Sequence, residues 1–189
     1  MQPSTASRSR RGRQAARGAA RGVLHAPWRI EYVRCPPTRG CFFCQAARLP
    51  DGDEQAWKRG LLLHRDRHLV VIFNRYPYTG GHLMVAPRRH TAELGGLRKA
   101  ENAALWECIR RCVGVLESAF QPHGFNVGLN LGRAAGAGVD SHLHFHIVPR
   151  WVGDTNFMPV IGATTAVPVA LESLWDQLRP AFRRGRRRS

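Results

Sequence analysis

No apolar run in the 189-residue chain approaches the roughly 18 residues needed to cross a bilayer; the longest are short pieces such as Leu69-Val70-Val71-Ile72-Phe73. A membrane-spanning helix is therefore not expected. Export is not expected either, because the Arg10-Arg11 pair near the start is followed by Gly, Gln, Ala and more Arg with no apolar core behind it. Acidic residues are scarce, 13 against 29 basic ones, and lysine is almost missing, two against 27 arginines. The resulting net charge of +16 is unevenly placed: residues 1–21 and 179–189 each hold six arginines and no acid, so 12 charges sit in two tails and only +4 remains for the body. Such tails can neutralise phosphates of RNA, DNA or lipid. They lack the interleaved aromatics of a base-stacking platform, so nucleic-acid docking is the lesser reading. An even set of closely spaced cysteines is missing too. Five, spread through a chain of this length, suit thiols or metal ligands in a reducing compartment, and a cytoplasmic location is expected.

What is present is a globular composition, 43% hydrophobic and 22% charged, enough to bury a core. The expected organisation is a basic disordered tail at 1–23, one catalytic domain at 24–182 and a basic tail at 183–189. Ala26 to Val33, with Trp28 and Tyr32, reads as an ordered entry segment. Cys41-x-x-Cys44 forms a knuckle, followed by a polar stretch to Gly60. Leu61–His64 and His68–Asn74, split by Arg65-Asp66-Arg67, read as a hairpin, and His82–Pro87 as a third strand stopped by proline. From 97 to 120 the period changes: Leu105, Cys108, Ile109, Cys112 and Leu116 recur at helical spacing, which makes Cys108 and Cys112 core residues of a long helix. Strands follow at 125–131 and 142–151 around a Gly/Ala loop, then a last helix over about 169–183. Hairpin-like strands with one long helix and a C-terminal helix imply an α+β domain with an antiparallel sheet.

The strongest local signal is His142-Leu143-His144-Phe145-His146-Ile147-Val148. On a strand, side chains alternate faces, so the three histidines would stand in a row while Leu143, Phe145 and Ile147 enter the core. Two chemistries fit. The imidazoles could converge on a catalytic zinc or iron. Alternatively, a neutral imidazole could attack phosphorus, its other ring proton held by a carbonyl. The loop Gly132-Arg133-Ala134-Ala135-Gly136-Ala137-Gly138 favours phosphate, since glycine-rich turns present backbone N–H groups to anions.

His-x-His-x-His followed by two apolar residues resembles the mark of the histidine triad superfamily of nucleotide hydrolases and transferases. Over most of residues 26–180, Ala26-Pro27-Trp28-Arg29, Asn74-Arg75-Tyr76-Pro77-Tyr78, Gly81-His82-Leu83-Met84-Val85, Gly124-Phe125-Asn126-Val127-Gly128-Leu129-Asn130 and Pro149-Arg150-Trp151 with Gly153–Phe157 resemble the branch that contains diadenosine tetraphosphate phosphorylases. The resemblance implies a HIT-like fold and a usual homodimer. It also implies that His144 is the nucleophile and becomes nucleotidylated, that His146 binds phosphate and assists the leaving group, and that Asn74 holds the ribose. Asn130 and the Ala137-Gly138 backbone would line the α-phosphate, and Trp151 would join the nucleotide-binding set. Many relatives carry Gln, Ser or Thr where this chain has Ala137-Gly138, so side-chain help is missing there. Some members close a structural zinc site on a Cys-x-x-Cys pair and two histidines, the first triad histidine among them; here these would be Cys41, Cys44, His90 and His142.

The expected reaction is phosphorolysis of diadenosine tetraphosphate to ADP and ATP. Hydrolysis of dinucleoside polyphosphates or nucleoside phosphoramidates, or nucleotide binding by a module whose tails dock on nucleic acid, are the alternatives. Arg150 and Arg133 are the cations that could draw a second phosphate beside the first, or ordinary solvated arginines.

Overall fold

A computed structural model of the chain describes residues 40–154 and 170–184. Two short helices, α1 (Phe42–Ala47) and α2 (Glu54–Arg59), precede the hairpin β1 (Leu62–Arg65) and β2 (Leu69–Phe73). Then come β3 (Leu83–Pro87), the long helix α3 (Lys99–Phe120), β4 (Gly124–Leu129), β5 (Phe145–Arg150) and α4 (Leu171–Arg184). The five strands form one sheet in the order β1-β2-β3-β5-β4, every neighbouring pair antiparallel. The α+β expectation holds, with strand and helix limits within a few residues of those read from the sequence. No helix among the described residues is long and apolar enough to cross a membrane. The tail at 1–23, the entry segment at 26–33, Cys35, residues 155–157 and residues 185–189 lie outside the described residues, whereas Arg179, Arg183 and Arg184, counted with the basic tail from the sequence, belong to α4.

Each element follows from its residues. α3 buries Leu105, Cys108, Ile109, Cys112 and Leu116, one stripe at helical spacing, against the sheet. Each buried Leu or Ile contributes about 1.5–3 kcal/mol relative to exposure. Its first turn is tied down by Glu101, which accepts from the Arg98 backbone N–H at 2.8 Å and from the Arg89 guanidinium at 3.0 and 2.8 Å. β2 and β3 are apolar and buried along their whole length because they are covered on both faces. The β1 edge is closed by α4: Trp175 Nε1–H donates to the Leu62 carbonyl and Arg179 to that of Leu63, while Arg179 packs over the Trp57 ring and pairs with Glu54. The β4 edge carries no strand partner among the described residues, and Asn126, Val127 and Gly128 are exposed there.

Two sequence expectations are corrected. The cysteine knuckle itself begins a helix, α1, and the polar stretch after it contains α2, capped by the Asp53 side chain on the Ala56 N–H. Of the three histidines expected along one strand, only His146 lies in β5. The ladder between β3 and β5 runs from Leu83 with Ile147 to Val85 with Phe145 and stops there. Pro87 has no N–H to continue it. Instead, the His142 ring donates to the Pro87 carbonyl and the Leu143 N–H donates to Thr91.

Candidate active site

The chain enters β5 through His142 and His144, both almost fully buried, and each imidazole has its tautomer fixed by a neighbour. His144 Nδ1–H donates to the His142 carbonyl at 2.8 Å. Its Nε2 is therefore the lone-pair nitrogen, and no hydrogen bond to it is found among the described residues. Burial holds the His144 pKa below the ordinary value, partly offset by that hydrogen bond, so the ring is neutral at pH 7. A neutral imidazole with one nitrogen clamped and the other open is a nucleophile that needs no separate base.

His146 sits beside it, ring centroids 4.9 Å apart. The residue that orders His146 was not singled out as a site residue from the sequence: His82, with 0% exposure. The Tyr78 backbone N–H donates to His82 Nδ1 at 3.2 Å, which leaves the His82 proton on Nε2, and that N–H donates to His146 Nδ1 at 2.9 Å. Consequently neutral His146 carries its own proton on Nε2. Burial, then the His146 and His144 imidazoles, push the His82 pKa down to about 3, so His82 stays neutral through the physiological range. Gly81 makes the geometry possible. Its φ of +82° turns the chain into His82, and a Cβ there would lie 3.1 Å from the Phe120 ring and 3.3 Å from Leu116. The sequence signal was a buried-looking polar residue at the head of an otherwise apolar strand, directly behind a glycine pair.

The other expected residues gather unevenly. Asn74 directly follows β2 near the triad, but its amide already works inside the protein: Oδ1 accepts from the Tyr76 N–H at 2.9 Å and Nδ2 lies 3.4 Å from His82 Nδ1. Asn130 and His146 line one groove. In the Gly/Ala loop the Ala137 N–H donates to the Gly132 carbonyl at 3.3 Å, and Gly138 is exposed. Trp151 follows β5 and is half-buried, its backbone N–H donating to Asp154. Neither arginine considered for a second phosphate carries an uncompensated charge. Arg150 is held by both carboxylate oxygens of Asp154, at 2.6 and 2.8 Å, and donates to Asn126 Oδ1 at 2.7 Å; Arg133 pairs with Asp140 at 2.8 Å.

Cys41, Cys44, His90 and His142 converge, their four ligand atoms all within 4.8 Å of one another. Cys41 Sγ lies 3.1 Å and Cys44 Sγ 3.7 Å from His142 Nδ1, and His90 Nδ1 lies 3.2 Å from His142 Nδ1. Two nitrogens on one tetrahedral zinc would be about 3.3 Å apart, given Zn–N bonds near 2.05 Å. The His142 proton is committed to the Pro87 carbonyl through Nε2, so Nδ1 offers its lone pair to the cluster. Burial, then the nearby His90 and His144 rings, lower the His142 pKa to about 4, and neutral imidazole is the metal-binding form. Donor set, spacing and tautomer all fit a metal ion. The Phe43 ring of α1 packs 5.0 Å from both His142 and His144, so this cluster and the triad share one support.

Comparison with known proteins agrees with this geometry. A HIT domain model matches residues 58–152. An AP-4-A phosphorylase of Mycobacterium tuberculosis is 37% identical over 151 residues, 78% of this chain and 77% of that protein. A bis(5'-nucleosyl)-tetraphosphatase (asymmetrical) of Schizosaccharomyces pombe is 31% identical over 93 residues, 49% of this chain and 50% of its own length. Among solved structures, a zinc-bound histidine triad family protein of Mycobacterium smegmatis shares the fold with a TM-score of 0.58 at 23% identity, covering 78% of this chain and 96% of that one. With its triad, its sheet order and these matches, the chain belongs to the HIT family.

Proposed function

We propose that the protein is a nucleotidyl transferase that converts diadenosine tetraphosphate and inorganic phosphate into ATP and ADP through a covalent adenylyl-His144 intermediate. In the first half-reaction His144 Nε2 attacks the α-phosphorus of one adenylyl end; the P–N bond forms as the bond to the bridging oxygen breaks, and ATP leaves. His146, protonated on Nε2 because His82 occupies its Nδ1, meets the charge that develops on the departing oxygen. In the second half-reaction a phosphate oxygen attacks the same phosphorus, the P–N bond breaks, ADP is released and neutral His144 is restored. The single observation that carries this reading is the clamp of His144 Nδ1–H on the His142 carbonyl at 2.8 Å, which leaves the opposite ring nitrogen as the lone-pair nitrogen. The 37% identity to an AP-4-A phosphorylase over most of both chains supports the choice of substrate and acceptor. Asn74, Asn130, the Ala137-Gly138 backbone and Trp151 are assigned to the bound nucleotide.

Zinc is the metal proposed for Cys41, Cys44, His90 and His142; bound there it would tie α1 to the segment that enters β5 as a closed structural centre. The four side chains would hold it, while the backbone carbonyl of His142 orients His144. A homodimer is proposed too, supported by the β4 edge, which has no strand partner among the described residues, and by the exposed Val127, Leu131 and Trp106. A cytoplasmic location accords with free thiols at Cys41 and Cys44.

Water as acceptor is the second reading, and one observation favours it: Arg150 and Arg133 are already neutralised by Asp154 and Asp140, leaving neither charge to recruit a phosphate. Product analysis with and without inorganic phosphate decides. Phosphate-dependent formation of ADP supports phosphorolysis, whereas AMP formed at the same rate in both cases overturns it.

A further inference from the structure

A groove of about 470 Å³ runs from His146 along the face of the sheet that His146, Val148 and Arg150 share. Those residues alternate along β5, so the groove extends about 13 Å from the triad to Arg150. Its near end is open for an anion chain. Gly128 lies directly across from His146, and a Cβ on it would meet nothing within 4 Å, so bare backbone leaves room there. The far end is different in character. Arg150 is bound on both sides, by the Asp154 carboxylate and by Asn126 Oδ1, which makes a pre-ordered and electrically balanced platform in place of a phosphate trap. With its oxygen already accepting from Arg150, the Asn126 amide still offers its pair of N–H donors. Val148, 6% exposed and paired across the strands with Asn126, forms an apolar floor, and the 40% exposed Tyr78 ring forms part of the wall.

Resting on the reading above, we propose that this groove is the subsite for the leaving half of a dinucleotide: the polyphosphate passes His146 and Gly128, and the second nucleoside lies on Val148 against Asn126 and the Arg150–Asp154 pair. A nucleoside is neutral, partly apolar and rich in hydrogen-bond acceptors, which matches an apolar floor, amide donors and a balanced ion pair. A free phosphate dianion needs uncompensated positive charge, which the far end does not offer. The groove thereby becomes the feature that distinguishes a dinucleoside polyphosphate from a mononucleotide carrying the same phosphate chain.

The test compares diadenosine tetraphosphate with adenosine 5′-tetraphosphate in the full-length protein, reading KM and the rate of His144 adenylation for wild type, Asn126→Leu and Asn126→Ala. Both substrates present the same adenylyl group; only the first has a second nucleoside. Expected is a tenfold or larger rise in KM for the dinucleotide with Asn126→Leu, a smaller rise in the same direction with Asn126→Ala, and values within twofold of wild type for adenosine 5′-tetraphosphate. Should Asn126→Leu fail to fold, as judged by thermal melting, Asn126→Ala alone carries the comparison. Equal losses with both substrates overturn the proposal, as does a rise confined to the KM for inorganic phosphate, which would make the groove the acceptor site. Adenylation of His144 by neither substrate in wild type would instead overturn the proposed function, and this subsite with it.

Discussion

Replacing His82 by Phe keeps a ring of similar shape at a fully buried position and removes the ring's hydrogen bonds with the Tyr78 N–H and His146, along with the longer contact to Asn74. The Tyr78 N–H loses an acceptor and His146 Nδ1 loses a donor. Each buried group deprived of its partner costs about 1–3 kcal/mol, so the variant should be about 2–4 kcal/mol less stable at pH 7.5. For a chain of this size that is a fall in melting temperature of roughly 5–15 °C. The loss should shrink in acid. Since the folded pKa of His82 is depressed to about 3 from about 6.5 when unfolded, its neutral burial stabilises the protein above pH 6.5, and that contribution is lost as pH falls toward 3. The slope is about 1.4 kcal/mol per pH unit, so at pH 5 the wild type should have given up about 2 kcal/mol that the Phe variant never had. Catalytically, His146 becomes able to carry its proton on either nitrogen. The rate of His144 adenylation should fall roughly 10- to 100-fold with little change in KM, as expected when a proton donor is misplaced. The assays are thermal melting at pH 7.5 and 5.0 and quenched single-turnover adenylation. A variant that melts below wild type by the same margin at both pH values, yet adenylates at the wild-type rate, would refute the relay.

Three further outcomes follow from the same geometry. Cys44→Ser, or removal of metal by a chelator, should lower the melting temperature and also slow adenylation in molecules that remain folded, because the His142 carbonyl that orients His144 belongs to a residue of the proposed metal cluster; metal analysis beside single-turnover rates checks both, and full activity without metal would detach the cluster from the site. Glu101→Gln should cost about 1–3 kcal/mol and flatten acid unfolding: the Arg89 hydrogen bond holds the Glu101 pKa at about 2, so its contribution is present above about pH 4.5 and lost between there and 2, and pH-dependent denaturant melts read this directly. Gly81→Ala meets positive φ and the Phe120 ring together and should cost about 2–4 kcal/mol, measured by urea unfolding, with an unchanged midpoint contradicting the close approach.

Much of the sheet was legible because its strands alternate or run wholly apolar and are punctuated by Gly and Pro, while α3 carries a long stripe at period 3.6. The short helices were not, since six residues each give too few turns to show a period and their signal reduces to a cap such as Asp53. The triad was visible as a string of residues, but its layout was not. Where β5 begins depends on Pro87, across the ladder and far away in sequence, and the His144 clamp uses a backbone carbonyl that no motif encodes. His82 escaped for a related reason: its partners Tyr78 and His146 come from a turn and from a strand 64 residues later. Arg150 was considered as a spare cation because its neutralisation by Asp154 requires the loop after β5 to turn back. The cysteine–histidine cluster was named through family resemblance, and its tautomeric logic appeared only with the Pro87 carbonyl in place.

The central claim is that His144 carries the nucleotide covalently. Full-length protein mixed with diadenosine tetraphosphate without phosphate, quenched within one turnover and analysed intact and as peptides, tests it most directly. Expected is one added AMP residue on His144, acid-labile as a phosphoramidate is, released as ADP on addition of inorganic phosphate and absent from the His144→Asn variant. Turnover of the dinucleotide by His144→Asn at near wild-type rates, or an AMP residue on any other side chain, would contradict it.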